Sequence, residues 1–287
     1  MKHAYRLIPF KHVFLRGLRK IWLPPRKVYQ HLYFKGNFKV PVDKERFFRM
    51  KHYGYQLEND IFWSGIAGAW ERNSLDIWMK LSSRAKVIFD IGANTGIYSL
   101  LAKSVNNSAE VYAFEPVKRV YKKLVDNCKM NGYDIHCYDM AVSNKEGSAV
   151  IYDSDMEHEY TASLIYKNNK GYTTSEEIQT VTLDKFISDN RIKQVDLVKI
   201  DAEAHEPAVL EGFKESIRFF KPAIVIELLD DLIGKEVETL VSGMGYLYYR
   251  INEQSGLEQV TEIVNCDEFN FLICSRETAA FLKLDAK

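Results

Sequence analysis

Cysteine is scarce and scattered. Cys128, Cys137, Cys266 and Cys274 form no C-x-x-C pair. That excludes the common zinc spacings and a disulfide framework, and makes a reducing, cytoplasmic compartment the expectation. Long apolar runs are missing too: no window approaches the roughly 18 uninterrupted apolar residues of a membrane span. The first 25 residues carry charges throughout and have no apolar h-region, so no secretory signal is expected. Net charge is absent, with 39 Lys and Arg against 39 Asp and Glu, so the whole molecule has no bulk pull toward nucleic acid. Internal repeats and low-complexity tracts are absent as well. What remains is a 287-residue chain, 46% hydrophobic and 27% charged, able to bury one sizeable core and a small appendage.

The charge that is present is unevenly placed. Residues 1–42 hold ten Lys or Arg and no acid; the first is Asp43. Aromatics interleave with them, including Phe10, Phe14, Trp22, Tyr29, Phe34 and Phe38. Such a segment suits a membrane surface or another anionic partner, and equally an arm packed on the main domain. The expected division is a basic, aromatic extension over 1–72 and an α/β domain over 73–287. In the extension, Pro9 and Gly17 are expected to break an amphipathic stretch, and Pro24-Pro25 to stop any helix. Gly36-Asn37 is a turn candidate, 53–65 reads as irregular, and Asn73 or Ser74 as the cap of a helix over 75–81.

The most informative stretch is 87–99, VIFDIGANTGIYS. Val87-Ile88-Phe89 reads as a buried strand, Gly92-Ala93-Asn94-Thr95-Gly96 as a small-residue turn, and Ile97 onward as a helix. Ligands of open α/β sheets bind over such turns. A dinucleotide site asks for G-x-G-x-x-G, whereas this turn is Asp-x-Gly-x-x-x-Gly. It lacks the middle glycine, and Asp90 would repel a pyrophosphate. An acid there suits a cationic group, such as the ammonium of S-adenosylmethionine. The next strand, 110–115, ends in Glu115, about 20 residues beyond the turn. There a carboxylate can accept both hydroxyls of a ribose.

From residue 86 strands and helices alternate, which predicts a parallel sheet. A helix follows over about 117–130, ended by Asn131-Gly132. Further strands are read at 135–138, 148–152, 178–183, 195–200 and 223–228, and two late ones at 246–251 and 269–274. Residues 153–175 read as a polar loop over the site. Asp90, Glu115, Asp139 and Asp201 then stand at four strand ends on one rim, an arrangement that repels itself unless a ligand or donor partners the charges.

On these residues the chain resembles the FkbM-type family of class I S-adenosylmethionine-dependent methyltransferases. The resemblance rests on FDIGANTGIYSLLAK (89–103), AFEP (113–116), AVSNKEG (141–147), VTLDKF (181–186), KIDAEAHEPAVLEGF (199–213) and IVIEL (224–228). It implies a Rossmann-like seven-stranded sheet of order 3-2-1-4-5-7-6 with strand 7 antiparallel. It also implies roles: Asp90, Gly92, Ala93, Asn94 and Gly96 hold the methionine part of the cofactor, Glu115 the ribose, and Asp139 with Met140 the adenine. The family usually reads Asp-x-Glu-Gly where this chain has Asp201-Ala202-Glu203-Ala204, so the backbone beside the acceptor is the point of departure. The implied reaction is O-methylation of a hydroxyl on a sugar, glycan or other small metabolite.

Three residues at the end of the fourth strand are the catalytic candidates. His205 is the best intrinsic base near neutral pH, although a helix start disfavours its cation. Asp201 and Glu203 are the others, their proximity raising a carboxylate pKa. With Glu227 they are also oxygen ligands of the kind Mg²⁺ takes, but no metal motif is present and no metal is assigned. His158 and Glu159 are weaker candidates. Amino-methylating nucleic-acid enzymes usually place an (Asn/Asp)-Pro-Pro-(Tyr/Phe) stretch after strand four, where this chain has Asp201–Ala204, so no nucleic-acid partner is expected. The competing readings are a nicotinamide oxidoreductase and a non-catalytic binding module on the same scaffold.

Overall fold

The computed structural model describes residues 11–68, 71–153, 162–163, 174–264 and 269–284. The basic extension folds into helix α1 (Lys11–Ile21), a single turn α2 (Arg26–Tyr29), the antiparallel pair β1 (Gly36–Pro41) and β2 (Phe47–His52), and helix α3 (Gln56–Ser64). Three expectations fail here. Gly17 does not break α1, because it lies exposed on the outer face with nothing within 4 Å of where a Cβ would stand. Gly36-Asn37 is strand rather than turn. The chain reverses at Asp43 instead, whose carboxylate accepts the amides of Glu45 and Arg46 at 2.9 and 2.7 Å, a local bond that suits a short polar side chain. The stretch 53–65 is not irregular. Phe62 packs edge-on against Phe34 and Phe38, and the Trp63 indole donates to the Leu32 carbonyl at 3.0 Å. Tertiary packing thereby overrides the modest helix propensity of the aromatics.

Helix α4 (Arg72–Ser82) starts one turn earlier than expected. Neither Asn73 nor Ser74 caps it; both amides donate to the Glu253 carboxylate, at 2.5 and 3.2 Å, from a turn some 180 residues away. The βα alternation then runs β3 (Val87–Ile91), α5 (Ile97–Val105), β4 (Glu110–Phe114), α6 (Lys118–Asn131) and β5 (Ile135–Tyr138). A small side sheet follows, of β6 (Met140–Val142), β7 (Gly147–Asp153), β8 (Ala162–Ser163) and β9 (Thr174–Val181), in the order β6-β9-β7-β8. Most of the loop expected over 153–175, with His158 and Glu159, lies outside the described residues. The main sheet resumes through α7 (Leu183–Asp189), β10 (Leu197–Ile200), α8 (Glu206–Glu211), α9 (Lys214–Phe220), β11 (Ala223–Glu227), α10 (Asp231–Val241), β12 (Leu247–Asn252), β13 (Gly256–Val260), β14 (Asn270–Cys274) and α11 (Arg276–Phe281).

The main sheet has eight strands, in the order β13-β12-β14-β11-β10-β3-β4-β5. Strands β5, β4, β3, β10 and β11 are parallel, and β14 lies antiparallel between β11 and β12. One strand exceeds the expected seven. β13 folds back on β12 through a turn in which the Asn252 side chain accepts the amides of Gln254 and Ser255. Alternation along the strands divides the core. Ile88, Val111, Leu197, Val225 and Leu272 share one buried cluster with Leu15, Phe34, Phe62, Trp78 and Leu100, so the basic extension packs on the same face as α4 and α5. Phe89, Tyr112, Val198, Ile224 and Phe271 face the other side, against Phe186, Val209 and Val237.

The connectivity also places the crevice. From β3 the chain proceeds outward to β4 and β5; it re-enters on the opposite side at β10. Adjacent strands whose chains leave in opposite directions open a gap at their carboxyl ends, where ligands of such sheets bind.

Candidate active site

At the β3–β10 gap the backbones nearly touch. Gly92 has φ +75°, and a Cβ there would stand 1.8 Å from the Asp201 carbonyl oxygen, so only glycine fits. The turn that follows directs its amides inward. Those of Gly92 and Ala93 both donate to the Phe114 carbonyl, that of Asn94 to the Glu115 carboxylate, that of Thr95 to the Asn94 side chain, and that of Gly96 to the Ala93 carbonyl. A pyrophosphate needs free amide donors, and these five are engaged. The remaining capacity of the turn is in acceptors, which suits a donor-rich cationic group.

Not every residue expected to hold the methionine part reaches the cleft. Gly92 and Asn94 line it. Asp90 stands behind the turn, fully buried, accepting the Ser99 amide at 3.0 Å and its hydroxyl at 2.5 Å. It caps the first turn of α5, where the helix dipole favours an anion. Burial lifts its pKa to about 6 even though Ser99 and Lys199 pull the other way. Gly96 serves packing: a Cβ would meet Leu124 Cδ1 at 2.6 Å. Ala93 is buried beside it.

Glu115 takes the place expected of it, at the end of β4 and on the cleft wall. Its two oxygens accept the amides of Asn94 (3.0 Å) and Val117 (2.9 Å), leaving lone pairs for two further donors. Burial is the main cause of a pKa near 7, opposed by those two amide bonds. Met140 lines the same wall with Val117, Val120 and Ile151. Asp139, one residue earlier, is exposed and off the wall. The space over the cleft, its open mouth included, is about 760 Å³.

Asp201, Glu203 and His205 close the opposite side. Glu203 (φ +51°) and Ala204 (φ +76°) are both left-handed, so the chain keeps the backbone shape of a glycine position while carrying an alanine. Glu206, the first residue of α8, braces this turn. It is buried and accepts the amides of Ala202 (2.9 Å) and Ala204 (3.2 Å), and burial raises its pKa to about 7. His205 Nε2 lies 3.0 Å from the Ser143 hydroxyl, and burial lowers the imidazole pKa. The ring is therefore neutral at neutral pH, as a proton acceptor must be.

The rim of acids has an internal partner that sequence reading missed. Lys199 on β10 is buried, its ammonium 3.9 Å from Asp201 Oδ2 and 5.1 Å from the centre of the Tyr98 ring. Burial lowers its pKa, but Asp201, Glu71, Glu227 and Asp90 together outweigh that and raise it. Glu71 accepts the Tyr98 hydroxyl at 2.6 Å and the Asn270 amide at 3.2 Å. Glu227 is pushed to about 9, by the Asp201 charge first and burial second, and so holds a proton at neutral pH. The only sequence signal for Lys199 was a lysine inside an otherwise apolar strand. Among the described residues, no cluster of His, Cys, Asp or Glu could hold a metal ion.

The Methyltransferase FkbM domain matches residues 90–248, more than half of the chain. The hexuronic acid methyltransferase AglP of Haloferax volcanii is 22% identical over 172 residues, 60% of this chain and 68% of that protein. The 31-O-demethyl-FK506 methyltransferase FkbM of Streptomyces tacrolimicus is 29% identical over 207 residues, covering 62% of this chain and 78% of the relative. A crystal structure described as methyltransferase FkbM from Methylobacillus flagellatus KT aligns at TM-score 0.42 with 13% identity, over 66% of this chain; the match spans 43% of that longer one.

Proposed function

Because the chain belongs to the FkbM methyltransferase domain family, we propose that it methylates a hydroxyl of a sugar, glycan or small metabolite with S-adenosylmethionine as donor. The observation that carries the reading is the turn 92–96, its amides engaged, beside the buried acceptor Glu115 in one cleft with His205. That donor set fits the cofactor: acceptors for an ammonium, a two-oxygen acceptor for ribose hydroxyls, and an apolar wall at Met140 for a purine. When bound, the cofactor supplies an electrophilic methyl group on a sulfonium. Asp90, Ala93 and Gly96 shape the turn; Gly92 and Asn94 line the methionine end.

His205 receives the acceptor's proton. It is neutral, it faces the cleft, and Ser143 fixes its ring. Asp201 and Glu203 orient the acceptor. A hydroxyl acceptor is supported by the name of one relative, a 31-O-demethyl-FK506 methyltransferase, and a sugar-class acceptor by the other's hexuronic acid.

The test is titration calorimetry with S-adenosylmethionine and with NAD, on the native protein and on Glu115→Ala, followed by transfer of a labelled methyl to a panel of sugars and uronic acids. S-adenosylmethionine binds, NAD does not, and the variant binds at least tenfold more weakly, as loss of bonds to a charged acceptor requires. His205→Ala keeps the affinity for S-adenosylmethionine and loses about 10²-fold or more in turnover. NAD binding alone would support the oxidoreductase. S-adenosylmethionine binding without transfer to any acceptor would leave a binding module.

A further inference from the structure

A second site lies on the basic extension, away from the cleft. Arg16, Arg19 and Lys20 of α1 face Lys39 and Arg49 of the β1–β2 pair across an open groove floored by Phe38 and Phe62. None of the groove-lining residues is acidic. Lys39 and Arg49 stand directly opposite each other in the ladder, both beside the Phe47 ring at 4.1 and 5.6 Å. Like charges directly opposed on a two-stranded sheet are destabilising, so the arrangement asks for an anion from outside.

Beside the groove is an exposed apolar face. Leu15 anchors the inner side of α1, fully buried. Val13, Phe14 and Ile21 point outward, and Trp22 and Leu23 extend the face past the helix end; Ile21 is 83% and Phe14 60% exposed. At 100° per residue, Arg16 and Lys20 border this apolar strip on the groove side. A basic border next to exposed apolar side chains, with a tryptophan at its end, is the composition of a helix lying in a membrane interface.

We propose that this face docks the protein on an anionic bilayer, lipid headgroup phosphates entering the groove and Phe14, Ile21 and Trp22 the acyl boundary. A soluble phosphate compound would leave the apolar strip exposed, and a second copy of the same face would repel it through matching cations. No described helix is long and apolar enough to cross a membrane, so the association is peripheral. The inference does not depend on the methyl-transfer reading, and its readout is binding to vesicles.

The full chain is sedimented with phosphatidylcholine vesicles and with vesicles that also contain phosphatidylglycerol, at low and high salt, while S-adenosylmethionine binding is followed in parallel. Binding is expected to the anionic vesicles only, and to weaken with salt. Lys39→Gln with Arg49→Gln weakens it about thirtyfold, from the contribution of two cations near a charged surface, with thermal stability unchanged or raised as the repulsion is relieved. Ile21→Asn weakens it about tenfold by removing apolar burial. Equal binding to both vesicle types, or full binding by the Lys39→Gln, Arg49→Gln variant, overturns the proposal. So does tight binding of inorganic pyrophosphate without vesicle binding, or a dimer in light scattering that is lost in Ile21→Asn.

Discussion

Replacing Gly92 by alanine tests whether the β3–β10 gap is built as described. Two costs add. The residue sits at φ +75°, where an L side chain costs roughly 1–2 kcal/mol. The new Cβ also meets the Asp201 carbonyl oxygen at 1.8 Å. That oxygen belongs to backbone whose amide donates to Ile91 at 3.0 Å, so it cannot retreat without opening the strand pair, and overpacking of this kind costs about 1–3 kcal/mol. The sum is about 3 kcal/mol, or a fall in Tm of about 6–12 °C for a chain of this size. Gly132→Ala is the control. It shares the left-handed conformation, at φ +63°, but has nothing within 4 Å of the new Cβ, so only the conformational cost of about 1 kcal/mol applies. Gly96→Ala falls between, because the obstructing atom is the movable end of Leu124. Thermal unfolding of the three variants, with calorimetric binding of S-adenosylmethionine, reads the result. If Gly92→Ala unfolds with Gly132→Ala and binds normally, the convergence of the two strands is not what makes this glycine necessary.

Ala204→Gly should stabilise the protein by about 1 kcal/mol, since alanine at φ +76° is strained; a lower denaturation midpoint in urea would contradict this. Stability should also peak on the acid side of neutrality. Asp90 (about 6), Glu115 and Glu206 (about 7) and Glu227 (about 9) hold protons in the fold that the unfolded chain has released, so their contribution is lost as pH rises from about 5 to 9. His52, kept near 4 by burial, and His205 act oppositely, their contribution falling away below about 6.5. Tm measured across pH should therefore be higher at pH 6 than at pH 8.5, and a flat or alkaline-rising profile would refute the burial of these carboxyls. Lys199→Met should cost about 3 kcal/mol at pH 8, because it strands the buried Asp90 carboxylate, and less at pH 6, where Asp90 takes up a proton. An equal loss at both pH values in urea unfolding would mean the lysine does not partner Asp90.

Much of the α/β domain was legible because its signals are local. An all-apolar run such as Val87-Ile88-Phe89 can hardly be anything but a strand covered on both faces, and Asn131-Gly132 ends a helix by φ alone. The extension was misread for the opposite reason. Helix α3 is held by aromatic contacts to β1 and its flank, and the start of α4 by a carboxylate from the β12–β13 turn, neither visible within a window of neighbouring residues. β13 was missed because five residues between polar turns carry little apolar periodicity.

By itself the sequence determined the order of elements and the residue types that meet at the strand ends: Gly92, Glu115, Asp201, Glu203 and His205. Their spacing along the chain is set by strand and helix length, and covalent order delivers them to one rim. Only the tertiary structure decided which of them face the cleft. Asp90 turned to cap α5, Asp139 stayed outside, Lys199 entered among the acids, and Glu206 took over the bracing of the 201–205 turn. Where a side chain points, and which charge lies beside another across the sheet, depends on packing between segments a hundred residues apart, and no local pattern encodes that.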